Sequence, residues 1–243
     1  MVKVVTRWLL LVLLAVCALQ LFFVLRIVSM LAIDPQSTAF ERSEAWRVLN
    51  LPDKPFKWKQ TWVPYDAISS NLKRAVIASE DGDFVYHDGV EWDAIERAWQ
   101  RNAKAEEQAI VRSRKGKTRV PKIIGGSTIT QQLAKNLFLS GERTLLRKSQ
   151  EFVLTLAIEL VLPKQRILEI YLNSVEWGEG VFGAEAAAQR YFRKSAAQLS
   201  AYEAARLAVM LPRPKFFELL PNSAYINSRA QTIAARMGDA ELP

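Results

Sequence analysis

Two carboxylates in this chain stand in company that goes beyond solvating a surface. Glu80 closes the run Ala75-Val76-Ile77-Ala78-Ser79 and opens the polar stretch Asp81-Gly82-Asp83-Phe84-Val85-Tyr86-His87-Asp88-Gly89. Preceded by Val76, Ile77 and Ala78, it is expected to point into a semi-apolar cleft, where desolvation raises a carboxyl pKa and makes a general base. A solvated acidic turn that ends a helix is the plainer alternative. His87 reads as a hydrogen-bonding strut for that turn rather than as a catalyst or a metal ligand. Glu151 follows Arg147 by four residues and Lys148 by three. A surface ion pair would explain that spacing, but the cation-first order is the less favourable one on a helix. The cluster also abuts the apolar run that starts at Phe152. A carboxylate held among cations can position them, or can carry a divalent ion beside a phosphate.

Between the two acids lies Gly125-Gly126-Ser127-Thr128-Ile129-Thr130-Gln131-Gln132-Leu133-Ala134-Lys135-Asn136, a turn entering a helix. Thr128 and Gln131 have the spacing of a capping box. The N–H groups at such a helix start favour an anion. Gln131, Gln132 and Lys135 share a face at three- and four-residue spacing. A well-capped amphipathic helix accounts for the cap, but not for the double glycine or for the density of amides beside a lysine. Two other matches fail. Gly116-Lys117-Thr118 lacks the glycine of a phosphate loop five positions earlier, where Val111 stands. Ser70-Asn71-Leu72-Lys73 has no companion Lys-Thr-Gly.

The elements that must hold these groups are mainly helical. Apolar residues recur three and four apart, which predicts helices over 71–80, 91–108, 128–138, 143–162, 164–174, 181–192, 196–210 and 224–236. No run alternates, so strands are expected to be few. Ahead of them, residues 34–70 read as a connecting segment, broken by Asp34-Pro35, Leu51-Pro52, Lys54-Pro55 and Val63-Pro64. Residues 1–33 hold an apolar run from Trp8 to Leu25, interrupted only by Gln20, and continue apolar past Arg26 to Ile33. At about 1.5 Å per residue this stretch spans the roughly 30 Å hydrocarbon layer. It is longer than a signal-peptide core and is followed by no small-x-small cleavage site, so it reads as an uncleaved anchor. Lys3 and Arg7 before it favour a cytoplasmic N-terminus, which would put residues 34–243 outside the membrane; Arg42 and Arg47 beyond it weaken that signal.

The net charge of +8 is local rather than general. Residues 1–33 carry +3, residues 101–122 carry +6, and the remainder sums to −1. One histidine and one cysteine exclude an internal disulfide, a cysteine-based zinc cluster and any site needing two imidazoles. The basic insert 101–122 lacks interleaved aromatics, and the expected topology keeps it from cytoplasmic nucleic acid, so no nucleic-acid role is expected; anionic lipid headgroups remain a sensible contact for it. A non-enzymatic, membrane-tethered lipid binder is therefore one rival reading. A lysozyme-like glycan-cleaving enzyme pairing Glu80 with Glu151 is another, but hydrolysis has no use for the cations at Lys135, Arg147 and Lys148.

Five stretches in register resemble the family 51 glycosyltransferases, which polymerise peptidoglycan. They are Glu-Asp-x-x-Phe-x-x-His-x-Gly at 80–89, Gly-Gly-Ser-Thr-Ile-Thr-Gln-Gln at 125–132 with Lys135-Asn136, Arg-Lys-x-x-Glu at 147–151, Lys-x-x-Ile-Leu-Glu-x-Tyr-Leu-Asn at 164–173, and the glycine-rich segment that runs to Phe192. Phe182 stands where tyrosine is frequent. The resemblance covers about residues 60–215 and implies a monofunctional form without a transpeptidase domain. It implies a mainly α, lysozyme-like glycosyltransferase domain over 71–243 behind a single N-terminal transmembrane helix, with 101–122 as a variable, mobile insert. It further implies an inverting transfer in which the 4-hydroxyl of the lipid II GlcNAc attacks the anomeric carbon of the growing strand's lipid-linked MurNAc and undecaprenyl pyrophosphate leaves. By resemblance Glu80 is the base. Glu151, with Lys135, Arg147 and Lys148, stabilises the departing pyrophosphate, with Mg²⁺ or Mn²⁺ at Glu151. Ser127, Gln131, Gln132 and Asn136 line the sugar and phosphate sites. The implied setting is the bacterial inner membrane with the catalytic domain in the periplasm, in company with other proteins of cell-wall synthesis and division.

Overall fold

The computed structural model describes residues 2–50, 57–92, 96, 100, 103–104, 126–139, 141–142 and 144–243. Most of the helix expected over 91–108, and nearly all of the basic insert 101–122, lie outside the described residues.

The chain begins with α1 (Val2–Ser29). Residues Lys3–Ser29 are long and apolar enough to cross a membrane, and they lie near the N-terminus. The upper turns of α1 stand clear of the protein, with Trp8, Leu9, Leu14 and Leu21 exposed, whereas Ile27 and Met30 at its end are buried in the main core. The expectation of an irregular 34–70 segment is corrected here. It contains α2 (Ala39–Leu49), opened by Thr38 and Glu41 in a complete capping box. The prolines bracket this helix instead of breaking it, since Pro35 precedes it and Pro52 follows it.

Helix α3 (Ser70–Glu80) carries the first motif, capped by Ser69. Then come α4 (Ile129–Phe138), α5 (Leu145–Val161) and α6 (Lys164–Ser174). The region expected as one helix over 181–192 divides into β3 (Val181–Phe182) and α7 (Ala184–Phe192). Gly183 separates them at φ +85°, and a Cβ there would stand 2.8 Å from the Asn173 carbonyl oxygen, so the chain turns where only glycine fits. Likewise the expected 196–210 helix is a 3₁₀ turn (Ala196–Gln198) followed by α8 (Ala201–Met210), which starts at a capping box formed by Ser200 and Glu203. Helices α9 (Pro214–Phe217) and α10 (Ala224–Arg236) complete the fold.

A small sheet of order β1-β3-β2 sits at one side, with β1 (Lys59–Gln60) parallel to β3 and β2 (Glu176–Gly178) antiparallel to it. Helices α3, α8 and α10 pack into one layer, and α4, α5 and α6 into another. Small residues allow the close approach in the first layer: Ala75 on α3 and Ala204, Ala205 and Ala208 on α8 are all fully buried. Tyr171, Trp177, Phe84 and Phe182 are among the large side chains buried in the core, and Trp177 Nε1 donates to the Leu207 carbonyl at 3.1 Å.

Candidate active site

Helix α4 organises the site, and its start is held from three sides. Thr128 Oγ1 accepts from Gln131 N–H at 3.2 Å, Gln131 Oε1 accepts from Thr128 N–H at 3.3 Å, and Thr128 Oγ1 donates to the Gly89 carbonyl at 2.6 Å. Asp81, its side chain wholly buried, accepts from Ile129 N–H at 2.9 Å and meets His87 Nε2 at 2.8 Å. The Asp81 carboxylate at the first turn of α4 complements the positive end of the helix. His87 is the strut that its surroundings suggested, since its Nδ1 also accepts from Gly89 N–H at 3.0 Å. Burial alone would lower that imidazole; the Asp81 carboxylate outweighs burial and holds His87 above its usual value.

With α4 fixed, Gln132 reaches Glu80. Gln132 Nε2 donates to Glu80 Oε2 at 3.0 Å, and Tyr171 Oη donates to Gln132 Oε1 at 3.0 Å. Tyr171 is fully buried, and desolvation, with Glu80 and Asp81 adding negative charge nearby, pushes its phenol well above the ordinary tyrosine range. It therefore stays a donor and orients the amide with its N–H₂ toward Glu80. Glu80 keeps a half-buried opening to solvent. Desolvation around its carboxyl raises its pKa, opposed by the hydrogen bonds from Gln132 and Ser79.

One turn further along, Lys135 and Asn136 line a cleft of about 360 Å³ together with Gln132, Arg147, Glu176 and Phe40. Arg147 enters from α5, where its Nη1 meets Glu151 Oε2 at 2.9 Å, while Lys148 closes a shorter ion pair with Glu151 Oε1. Glu151 is buried, and its backbone carbonyl accepts from Thr155 Oγ1 at 2.8 Å. Arg147 Nε is buried and has no hydrogen-bond partner. The cleft thus presents a cationic end supported by a carboxylate, next to a desolvated carboxylate.

The site residues expected from the sequence do not all converge here. Gln132, Lys135, Asn136 and Arg147 line the cleft. Glu80 adjoins it through Gln132, and Glu151 stands behind Arg147. Gln131 does not line this cleft: its side chain closes the cap, and it lines a second, largely apolar groove together with Lys148, Trp92 and Phe152. Ser127 is exposed, and its carbonyl oxygen lies 3.5 Å from Gln132 Nε2. Both oxygens of Glu151 are paired with cations, and no three His, Cys, Asp or Glu side chains converge among the described residues. A single carboxylate between two cations is a poor donor set for a resident divalent ion, because the cations repel it.

Several contributors escaped the sequence reading. Tyr171 orients Gln132, Phe40 enters the cleft from α2, and Glu176 enters from β2. Lys164 ties the fourth motif to the first: its Nζ donates to the His87 carbonyl at 2.5 Å and pairs with Glu159 at 2.8 Å, over the Phe84 ring. For α2 the signal that could have found it is the Thr38-x-x-Glu41 capping-box spacing.

A desolvated carboxylate beside a cation-supported one on a helical body is a site suited to an enzyme that transfers a group from an anionic leaving group. The sequence signature described as Transglycosylase matches residues 50–238. A protein of Burkholderia thailandensis named biosynthetic peptidoglycan transglycosylase is 54% identical over 227 residues, covering 93% of this chain and 82% of that protein. Proteins of the same name from Herminiimonas arsenicoxydans and Bordetella pertussis are 53% and 55% identical, covering 97% and 86% of this chain and 96% and 82% of their own lengths. The chain belongs to the transglycosylase family.

Proposed function

We propose that this chain is a peptidoglycan glycosyltransferase of cell-wall synthesis, which polymerises lipid II into β-1,4-linked glycan with inversion and release of undecaprenyl pyrophosphate. The family and the names of the relatives support the peptidoglycan assignment. The observation that carries the chemistry is Arg147 Nε, a buried donor without a partner in a cleft shared with Lys135. An anionic leaving group supplies the oxygen that this donor lacks.

In this reading Glu80 takes the proton from the 4-hydroxyl of the lipid II GlcNAc as that oxygen bonds to the anomeric carbon of the lipid-linked MurNAc. The bond from that carbon to the pyrophosphate breaks, and the electron pair leaves with the phosphate oxygen. Burial raises Glu80 toward the range where a carboxylate accepts a proton efficiently. The Gln132 N–H₂ group keeps it ionised and oriented. Arg147 and Lys135 neutralise the charge that develops on the pyrophosphate, and Glu151, paired also with Lys148, holds Arg147 in place. Asn136 adds an amide to the cleft. Mg²⁺ or Mn²⁺ enters this proposal only as a companion of the pyrophosphate, with Glu151 as the carboxylate behind Arg147; no step depends on it. The rival hydrolytic pair requires Glu151 to act as an acid or a nucleophile, and two cations hold both of its oxygens.

Residues Lys3–Ser29 anchor the enzyme in the bacterial inner membrane, with Lys3 and Arg7 on the cytoplasmic side and the catalytic body in the periplasm. Other proteins of cell-wall synthesis and division are its expected neighbours there. The test incubates detergent-purified protein with labelled lipid II and sizes the product. Long glycan is expected, and no polymer from a folded wild-type protein would overturn the proposal.

A further inference from the structure

Glu176 lies on β2, opposite Phe182, and forms part of the cleft wall across from Gln132, Lys135 and Asn136. Its side chain is 6% exposed. Lys215 Nζ stands 3.4 Å from Oε1, but its close ion pair is with Glu44, and Glu176 Oε1 has no hydrogen-bond partner. A buried carboxyl oxygen without a donor is costly, and such a cost persists where a ligand supplies the donor. The chemistry of that ligand follows from the sign of the charge. A phosphate is drawn to Arg147 and Lys135 and repelled by Glu176. Glu176 therefore faces the neutral, hydrogen-donating part of whatever occupies the cleft. Around it Val175, Leu211, Pro212 and Pro214 supply an apolar floor, against which the C–H face of a pyranose packs.

We infer that Glu176 is a sugar-binding, specificity-determining residue whose carboxyl accepts a hydrogen from a hydroxyl or acetamido N–H group of an N-acetylhexosamine lodged over this floor. Glu176 shares the cleft wall with Arg147 and Lys135, so the cleft offers an acceptor for the sugar as well as cations for the pyrophosphate. The identity of the sugar rests on the polymerase reading above; the presence of a sugar subsite is testable without it.

The experiment uses the full chain in detergent, as wild type, Glu176→Gln and Glu176→Ala, with thermal melts to show that each is folded. One arm measures binding of the GlcNAc-β-1,4-MurNAc disaccharide by saturation-transfer NMR, and the other measures lipid II kinetics. Losing a hydrogen bond to an ionised group corresponds to about a tenfold change. Glu176→Ala is thus expected to weaken disaccharide binding and raise KM for lipid II by about that factor, with the loss falling on KM rather than kcat. Glu176→Gln retains an acceptor oxygen, and its change is expected to stay within about threefold. Wild-type binding and KM in Glu176→Ala would overturn the inference, as would a wild-type chain that does not bind the disaccharide. If the wild type binds disaccharide through Glu176 yet makes no polymer, the polymerase reading falls and the sugar subsite stands.

Discussion

Glu80 owes its chemistry to two side chains as much as to its own burial. Gln132 gives it a hydrogen bond, and Tyr171 decides which end of the Gln132 amide points its way. Glu80→Gln keeps the shape and removes the base; kcat for lipid II polymerisation is expected to fall about 10²–10⁴-fold, with a melting temperature close to wild type. The raised pKa of Glu80 adds a pH signature. The base works ionised, so kcat/KM falls as pH drops through its folded-state pKa, above the ordinary 4.5. In Tyr171→Phe the amide is free to turn its oxygen toward Glu80, which favours the protonated acid. The acid limb of the kcat/KM profile is therefore expected to move to higher pH, and an unmoved limb would mean that Tyr171 only fills space. Glu176 carries the opposite kind of information. Burial raises it to about 7, against the pull of Lys215 and Arg47 and with the push of Glu44. Folded, it binds its proton more tightly than unfolded, so its own contribution to stability is fully present below pH 4.5 and is lost as pH rises through about 7. Urea titrations of Glu176→Gln should lack this decline and should exceed wild-type stability above neutrality by on the order of 3 kcal/mol at most.

At the scale of elements, α4 shows how local signals place a site. Its capping box was legible because Thr128 and Gln131 act within one turn, and local spacing is all that such a bond requires. What the spacing could not show is that Thr128 also bonds to Gly89, 39 residues earlier in the chain. Thr128→Ala loses both a cap and a buried tertiary hydrogen bond, an expected cost of about 2–3 kcal/mol in denaturant unfolding. A surface cap alone would cost about 1 kcal/mol. Helix α2 went unread for the converse reason. Four Pro-containing dipeptides between 34 and 64 suggested interruption, yet 16 residues separate Pro35 from Pro52, room enough for an 11-residue helix. Strand β3 falls at the start of the expected 181–192 helix because Val181 and Phe182 are apolar in either state. Pairing with Lys59 and Gln60, more than a hundred residues away, settles them as a strand.

Across the whole molecule, the N-terminal helix α1 proves to pack on the catalytic body. Gln20, the one break in the apolar run, exchanges hydrogen bonds of 3.0 and 3.2 Å with Gln150, the residue before Glu151. An amide set among apolar residues is stabilised by such a partner. Further along, Phe23 stacks edge-on against Phe138, and Arg166 holds Asp34 at 2.7 Å and the Met30 carbonyl at 2.8 Å. Removing residues 1–33 therefore takes Ile27 and Met30 out of the core as well as deleting the anchor. The melting temperature is expected to drop by several degrees, since two buried apolar side chains contribute about 3–6 kcal/mol. Removing residues 2–16 alone should leave it nearly unchanged, because residues 3–16 of α1 are exposed. Equal melts for the two truncations would show that the anchor is only a tether.

By itself, the sequence determined the membrane-length apolar helix, the helical class, the cap of α4, and the chemical cast of Glu80, Gln132, Lys135, Arg147, Lys148 and Glu151. Each of those depends on residue type and on spacing within a few turns, where chain geometry alone dictates neighbours. Only the tertiary structure decided which of these groups share a cleft, that Tyr171 sets the Gln132 amide, and that Glu176 joins the cleft wall from β2. Those outcomes depend on burial and on bonds between residues tens of positions apart. Desolvation makes an acid a base and leaves a donor wanting, and it exists only once the layers have closed.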